Sequence, residues 1–388
     1  MEVKQIYEIV NDITGEILGT NDLVKEDLSN VVDVGTAIFN ASAVDAYVRS
    51  LVNHIGKVVF VNRPYRGNVP SVLMDGWEFG SVLEKVRVEL PDATENESWE
   101  LNDGEIYEQN QFYKPTVSAK FFNKRVTFEI PVSITEMQIK QSFSNAAQLN
   151  GFMSMIYNAV EKSMTVKIDS LAMRAINNMI GETLYSEVPG GTYTGRSGVK
   201  AVNLLYLYNE RYPNSAITDA SEALTNPDFI RFASFTMGVY ADRLSKISSL
   251  FNIGGTDKFT PSDMLHFVML SDFAAGANVY LQSDTFHEEY TKLPNAETVP
   301  YWQGSGDDYA FDSISAINIK TASNNDISAD GILAVMFDRD ALGVTNLDRR
   351  VTTHYNAKAE FYSNWYKFDA GYFNDTDENF VVFYVAVA

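Results

Sequence analysis

Gly190, Gly191, Thr192, Tyr193, Thr194, Gly195, Arg196 and Ser197 come closest to a chemical motif in this chain, matching a phosphate-binding loop with arginine in place of its lysine. Such a loop needs a strand before it and a helix N-terminus directly behind it to receive the phosphate. Here a long helical pattern precedes the glycines and Gly198 follows them, so the segment reads as a glycine-rich hinge. Asp326, Ser328, Asp330 and Gly331 imitate the opening of a calcium loop. The position that should supply its bidentate glutamate is Phe337, which has no ligand atom. Asp375, Asp377 and Asn379 repeat the spacing without the glycine or the terminal carboxylate, which predicts no built metal site and leaves adventitious cation binding open. The histidines His54, His266, His287 and His354 are scattered, and His287–Glu288 lacks the second histidine of a zinc-protease helix. With no cysteine, thiolate catalysis, disulfides and cysteine metal sites are excluded. No serine sits in a nucleophile elbow, and the many carboxylates cannot be paired into a glycosidase dyad without geometry. The residues predict no enzyme and no cofactor.

One segment leaves a choice open. Phe361, Tyr362, Trp365, Tyr366, Phe368, Tyr372 and Phe373 could form a stacking platform for sugars or bases, the basis of an alternative reading as a carbohydrate-binding surface or fibre protein. A sheet buried beneath a helix, with some subunit contact, explains the same rings more simply.

The elements that would position any site start with a ribbon and a rod. Val86, Val88 and Leu90 alternate with Lys85, Arg87 and Glu89 at the period of a half-buried strand. A second extended run, Val117 to Val132, is rich in β-branched and aromatic residues, and Pro131 ends its ability to donate to a ladder. Between them, Pro91 to Gln111 carries seven carboxylates and no basic residue. This predicts a protruding hairpin with a solvated tip. A lone two-stranded hairpin is marginal in water, so a neighbouring chain is the natural cover. Ser133 to Glu136 has capping-box spacing, with a second possible helix start at Ser144 or Asn145. Leu149, Phe152, Ile156, Val160, Met164, Ile168, Leu171, Ala175 and Met179 then recur every three or four residues, and Gly181 stands where a left-handed cap belongs. The pattern predicts a rod of about 45 to 50 Å lying over a sheet.

Length and composition set the frame. A chain of 388 residues with 45% apolar content should form two or three sub-domains with a sizeable core. Its net charge of −21 disfavours gripping a phosphate backbone, which depends on lysine and arginine releasing counterions, yet the chain could surround nucleic acid without holding it. The start, MEVKQIYEIV, lacks a basic region before an apolar core, and no run of eighteen apolar residues occurs, so a soluble protein not exported by that route is expected.

Along the rest of the chain, Ala43 to His54 reads as a helix and Val58 to Val61 as a strand, followed by a stretch broken by Pro64 and Pro70, as in an arm crossing something. Ala201 to Arg211 is a helical pattern ended by Pro213. Asn226 and Pro227 start a helix running to about Ser249, and Met264 to Leu270 is a strand with Asp272 opening a short helix. Ile332 to Phe337 and Phe380 to Val387 are nearly unbroken apolar runs, as in strands covered on both faces, and they bracket an extended aromatic segment, Val351 to Phe373.

This order of arm, acidic hairpin, long helix, mixed module, aromatic hairpin and final strand resembles the major capsid proteins of tailed bacteriophages. Local wording is similar to the small short-tailed, picovirus-like phages: NHIGKVVFVNRP, GWEFGSVLEKVRVELPDA, ILAVMFDRDALGV and NAKAEFYSNWYKFDAGYF. The resemblance implies an α+β chain with the Hong Kong 97-like fold. It implies an N-terminal arm over 1–80, an extended loop over 81–130 and a peripheral domain with spine helix over 131–189. An axial domain over 190–340, a return hairpin over 341–375 and a final axial strand over 376–388 would complete it. It also implies hexamers and pentamers of an icosahedral shell around double-stranded DNA, with portal and possible scaffolding or decoration proteins as partners, no membrane, and assembly in the host cytoplasm. In that setting Trp99, Leu101, Ile106 and Tyr107, apolar residues on an acidic tip, would dock on an adjacent subunit. Some relatives cross-link a lysine to an asparagine; no such pair is identified here.

Overall fold

The computed structural model describes residues 69–74, 83–91, 93, 95–96, 99–107, 110, 112–135, 146–187, 196–282, 296–304, 308, 310–320 and 324–387. The expected helix at Ala43–His54, the strand at Val58–Val61 and most of the expected arm lie outside them. In chain order the strands are β1 (Leu73–Met74), β2 (Leu83–Val88), β3 (Val117–Phe122), β4 (Arg125–Thr135), β5 (Ala201–Asn203), β6 (Leu265–Leu270) and β7 (Ala296–Val299). The remaining strands are β8 (Ile317–Lys320), β9 (Asp326–Ala329), β10 (Ile332–Asp338), β11 (Leu342–Asn356), β12 (Phe361–Asn374) and β13 (Phe380–Tyr384). The helices are α1 (Ala146–Glu187), α2 (Leu204–Arg211), α3 (Ala220–Ala223), α4 (Pro227–Leu244), α5 (Ser271–Gln282) and α6 (Phe311–Ile314). The chain divides into two compact units. One comprises Met1–Gly76, Arg125–Arg174 and Val344–Gly371; the other comprises Trp77–Lys124, Ala175–Gly343 and Tyr372–Ala388.

The first unit holds a sheet in the order β1-β11-β12-β4. β12 runs antiparallel to β4 over eleven residue pairs, from Phe361 opposite Thr135 to Gly371 opposite Arg125. Alternation decides which side is covered. Tyr362, Asn364, Tyr366, Phe368 and Ala370 are buried on one face of β12, opposite Ile134, Val132, Ile130, Phe128 and Val126 of β4. Phe128 and Phe368 stack with centroids 5.0 Å apart. Most of the aromatic segment therefore fills a core, and Tyr362, Tyr366 and Phe368 are not presented as a platform. Pro131 lies within β4, opposite Trp365, and is tolerated because β4 is the last strand in the sheet order and need not donate on its outer side.

Three expectations from the sequence give way here. The run from Val117 to Val132 is two strands: β3 pairs with β2, whereas β4 leaves at Asn123–Lys124 to join the sheet. Ser133 to Thr135 are strand residues and do not cap a helix, because pairing with Phe361 to Ser363 uses their backbone. Gly181 does not end the rod, since α1 runs unbroken to Glu187. A Cβ at Gly181 would overlap the Ile319 side chain of β8, so glycine serves close packing and not a left-handed turn. At 42 residues α1 is about 60 Å long, longer than the expected rod. Its burial changes along its length. Ile156, Val160, Met164 and Ile168 form a single stripe, while from Ala175 onward nearly every position is covered, which blurs a one-sided pattern.

The second unit is built on a sheet in the order β5-β13-β10-β6-β7. β10 pairs antiparallel with both β13 and β6, and all seven of its residues are buried, as are all five of β13. That explains their uninterrupted apolar sequences. α2, α4 and α5 contribute Leu205, Tyr208, Phe229, Met237, Phe273 and Ala277 to the same core as Phe267, Met336 and Phe383. Ala201 to Asn203, expected as the start of a helix, form β5, and Asn203 caps α2 by accepting from the Tyr206 amide at 3.2 Å. α4 ends at Leu244, short of Ser249. Its start is as expected: Asn226 Oδ1 accepts from the amides of Asp228 and Phe229 at 3.0 and 3.2 Å, with Pro227 in the first turn. Asn226→Ala should cost about 1 kcal/mol in chemical denaturation, and Asn226→Gly only a few tenths. Among the described residues no helix is long and apolar enough to cross a membrane.

Candidate assembly surface

β2 and β3 form an antiparallel ribbon with Leu83 opposite Phe122, Lys85 opposite Lys120, Arg87 opposite Ser118 and Val88 opposite Val117. Glu89 extends the pairing by donating its amide to the Thr116 carbonyl at 2.9 Å. Period two puts Lys85, Arg87 and Lys120 on one face and Glu84, Val86, Val88, Val117, Ala119 and Phe121 on the other. The charged face is the one turned inward. Lys85, Arg87 and Lys120 are partly buried, while Val86 and Phe121 are 61% and 62% exposed. The strand is half-buried, as its period of two predicts, and the buried half is the charged one.

The reason lies in the turn after β12. Asp375, Asp377 and Glu378 converge on the inner face of the ribbon. The Arg87 guanidinium donates to Asp377 Oδ2 at 2.7 Å, to Glu378 Oε1 at 2.8 Å and to Asp375 Oδ2. Lys120 Nζ lies 3.0 Å from Asp375 Oδ1 and 2.9 Å from Asp377 Oδ2, and Lys85 Nζ lies 3.3 Å from Asp375 Oδ2. Lys85 also donates to the Asp340 carbonyl and sits 4.9 Å from the Phe373 ring centroid, a cation–π contact. Lys258 Nζ lies 3.2 Å from Glu378 Oε1. The turn itself is fixed by the main chain. The Asp375 amide donates to the Ala341 carbonyl at 2.7 Å, and the amides of Ile253 and Gly254 converge on the Thr376 carbonyl.

The Asp375 side chain is fully buried, an expensive place for a charge unless it is matched. Burial raises its pKa, but the Lys120 hydrogen bond and the Lys85 and Lys120 charges outweigh that, and the carboxyl sits below its ordinary range. At Glu378 the balance reverses: burial dominates over Lys258, Arg87 and Lys85, and the pKa is raised. The calcium-like spacing of Asp375 and Asp377 is thus used by side-chain cations, and Asn379 instead donates to Thr260 Oγ1 at 3.1 Å. Among the described residues no cluster of histidine and carboxylate could hold a metal ion.

The other motif residues are absorbed by structure. Asp326 and Ser328 lie in β9, paired to β8, and Phe337 is buried in β10. Gly190 to Gly195 lie outside the described residues, and Ser197 Oγ accepts from the Asn203 amide at 3.1 Å. His266, half-buried, stacks on Phe337, and burial pushes its imidazole pKa below the ordinary range. His354 lies exposed in β11, and His54 and His287 fall outside the described residues.

At the far end of the ribbon, Trp99 is 95% exposed and Ile106 92%, with Leu101 and Tyr107 also exposed. Tyr107 braces the tip: its hydroxyl accepts from the Asn102 amide at 3.1 Å and donates to Glu105 at 3.2 Å, around Gly104 in a left-handed conformation. Phe112 and Tyr113, which sequence reasoning passed over, are 85% and 78% exposed. Their signal was two aromatics in a polar stretch directly before β3. The ribbon is therefore fastened at its root by charge and uncovered at its tip and outer face.

The profile of the Phi29-like phage major capsid proteins matches residues 6–384. The chain belongs to that family. It is a phage major capsid protein, and its place is the capsid of the virion. A chain in the structure of native bacteriophage P68, described as head fibre and inner core protein gp22, aligns with TM-score 0.51 at 9% identity, covering 84% of this chain and 86% of that one. This capsid protein thus has the mixed helix-and-strand Hong Kong 97-like fold. A chain from the capsid structure of Staphylococcus phage Andhra aligns with TM-score 0.49 at 8% identity, over 84% of this chain and 86% of that one. No curated protein sequence matches the chain.

Proposed function

We propose that copies of this capsid protein form the hexamers and pentamers of an icosahedral shell enclosing double-stranded DNA, and that each copy lays its ribbon tip on a neighbour. The observation that carries this reading is Trp99 and Ile106, almost fully bare at the end of a ribbon whose root is fixed. Apolar side chains in that position lose water only against another molecule. The individual contacts are weak, and a closed shell multiplies them. The net charge of −21 suits enclosure of DNA without gripping it.

In this reading Leu101 and Tyr107 dock alongside Trp99 and Ile106. The second unit's sheet is the axial domain, and the sheet of β1, β11, β12 and β4 with the first part of α1 is the peripheral one. Portal and scaffolding or decoration proteins are further partners, and assembly takes place in the host cytoplasm. Negative-stain microscopy of the expressed chain tests the reading. Closed polyhedra with five- and six-fold capsomers are expected, and a chain that remains monomeric at concentrations where related shells close would refute it.

A further inference from the structure

Away from the ribbon, the second unit holds an aromatic cavity that the assembly contacts do not use. Tyr208 and Tyr212 stand four residues apart on α2 and its C-terminal cap, and Phe232 and Phe235 stand three apart on α4, so each pair shares one helix side. Together with Arg211 and Arg231 they line a cavity of about 510 Å³, within the range of ligand pockets. Its floor is preformed. Tyr208 is buried and packs edge-on against Phe229 and Phe232, with ring centroids 5.6 Å away in both cases. The turn that closes the cavity at Ser215 is clamped to α2 by Asn209, whose side chain donates to the Ile217 carbonyl at 2.8 Å and accepts from the Ile217 amide at 2.9 Å. Above this floor Phe235 is 62% exposed and Tyr212 42%.

The charges at the rim are unequal. Arg231 Nη1 lies 3.2 Å from Asp228 Oδ1, which neutralises that side. Arg211 sits 5.7 Å from the Tyr212 ring centroid, a cation–π contact, and among the described residues no carboxylate pairs with it. We propose that this pocket binds a short acidic segment of a second protein, one in which a carboxylate flanks an aromatic side chain. The ring enters between Tyr212, Phe232 and Phe235, where aromatic pairs gain more than the area they bury. The carboxylate meets Arg211, whose planar fork matches two oxygens. Charge decides between ligand classes. One free guanidinium balances one carboxylate, whereas a nucleic acid brings more phosphate charge than the pocket holds into the field of a chain at −21. A neutral sugar leaves Arg211 unmatched.

Calorimetric titration of the unassembled full-length chain with the peptide Ser-Glu-Trp-Glu-Ser tests the site. Saturable binding of one peptide per chain is expected. Arg211→Ala and Phe235→Ala should each weaken it about fivefold, the loss of one charge-assisted bond or one ring contact. Both side chains are exposed, so melting curves should match wild type. Arg243→Ala, on α4 but outside the cavity, should bind as wild type does. The peptide Ser-Gln-Trp-Gln-Ser tests the carboxylate without touching the protein and should also bind about fivefold more weakly. No saturable binding, or equal binding of the glutamine peptide, overturns the proposal. Tighter binding of thymidine monophosphate, lost in Arg211→Ala, would assign the pocket to a nucleotide and overturn it as well. Preference for a peptide of this chain's own residues Glu95–Glu108, lost in the same variants, would assign it to a second copy and overturn the foreign partner. These titrations need no shells, so a chain that fails to assemble refutes the assembly reading and leaves the pocket to be decided by binding.

Discussion

Excising Asp92–Gln111 and joining Pro91 to Phe112 through Asn-Gly should leave a folded subunit that no longer closes shells. Within the tip Asn102, Glu105 and Tyr107 bond to one another in one turn, and Trp99 and Ile106 are almost fully exposed. Removing them subtracts no core. The ribbon below keeps its register through the Glu89–Thr116 hydrogen bond and its root through Arg87 and Lys120. The melting temperature should move by less than about 2 °C, the shift of a few tenths of a kcal/mol in a domain of this size. Particle formation, by contrast, should be lost, because the tip supplies the largest bare apolar side chains on the ribbon. Calorimetry and negative-stain microscopy on the same preparation separate the two effects. Normal particles would remove the tip from the assembly contact, and a collapsed melting temperature would show that the tip supports its own subunit.

How much of this was legible in the sequence follows from how locally each feature is determined. Ile332 to Phe337 and Phe380 to Val387 announced strands covered on both faces because burial on two sides leaves no polar alternation, and β10 and β13 occupy that place. Asn226 and Pro227 announced a helix start because a cap is a property of four consecutive residues. Features decided at long range were misread. Gly181 looks like a terminator until Ile319, far away in sequence, is seen packed against it. Ser133 to Glu136 has the letters of a capping box, but pairing with β12 claims the backbone of Ser133 to Thr135 for a sheet. The ribbon shows the limit most clearly. Its period of two was readable, but which face points inward depended on Asp375, Asp377 and Glu378, nearly three hundred residues later in the chain. The exposed tip residues Trp99, Leu101, Ile106 and Tyr107 were nameable because apolar letters in an acidic run stand out. The ion cluster at the ribbon root was not, since lysines and aspartates are common and only the fold brings these together.

Asp375→Asn should be the most destabilising single-atom-scale change in the second unit, about 3 kcal/mol at neutral pH. Removing one partner of a buried pair leaves the others desolvated and unmatched, which costs about 3 to 5 kcal/mol. The lower figure applies because Lys120 is partly in water and can turn outward. Asp377→Asn, at a side chain 23% exposed, is the control and should cost no more than about 1 kcal/mol. The pH dependence fixes the sign. The folded Asp375 pKa is lowered from its ordinary 3.8, so its contribution is complete above that value and fades as pH falls through the folded pKa. Glu378 is shifted up from 4.5, so what it contributes is greatest below 4.5 and declines as pH rises through its folded pKa. The difference between wild type and Asp375→Asn should therefore hold from pH 7 down to about pH 4 and narrow below it. Glu378→Gln should be closest to neutral at pH 7 and lose ground to wild type in acid. Denaturant titrations of the three variants at pH 7 and pH 3 read both trends. An Asp375→Asn deficit of the same size at both pH values would mean that shape alone, and not charge, holds the ribbon root.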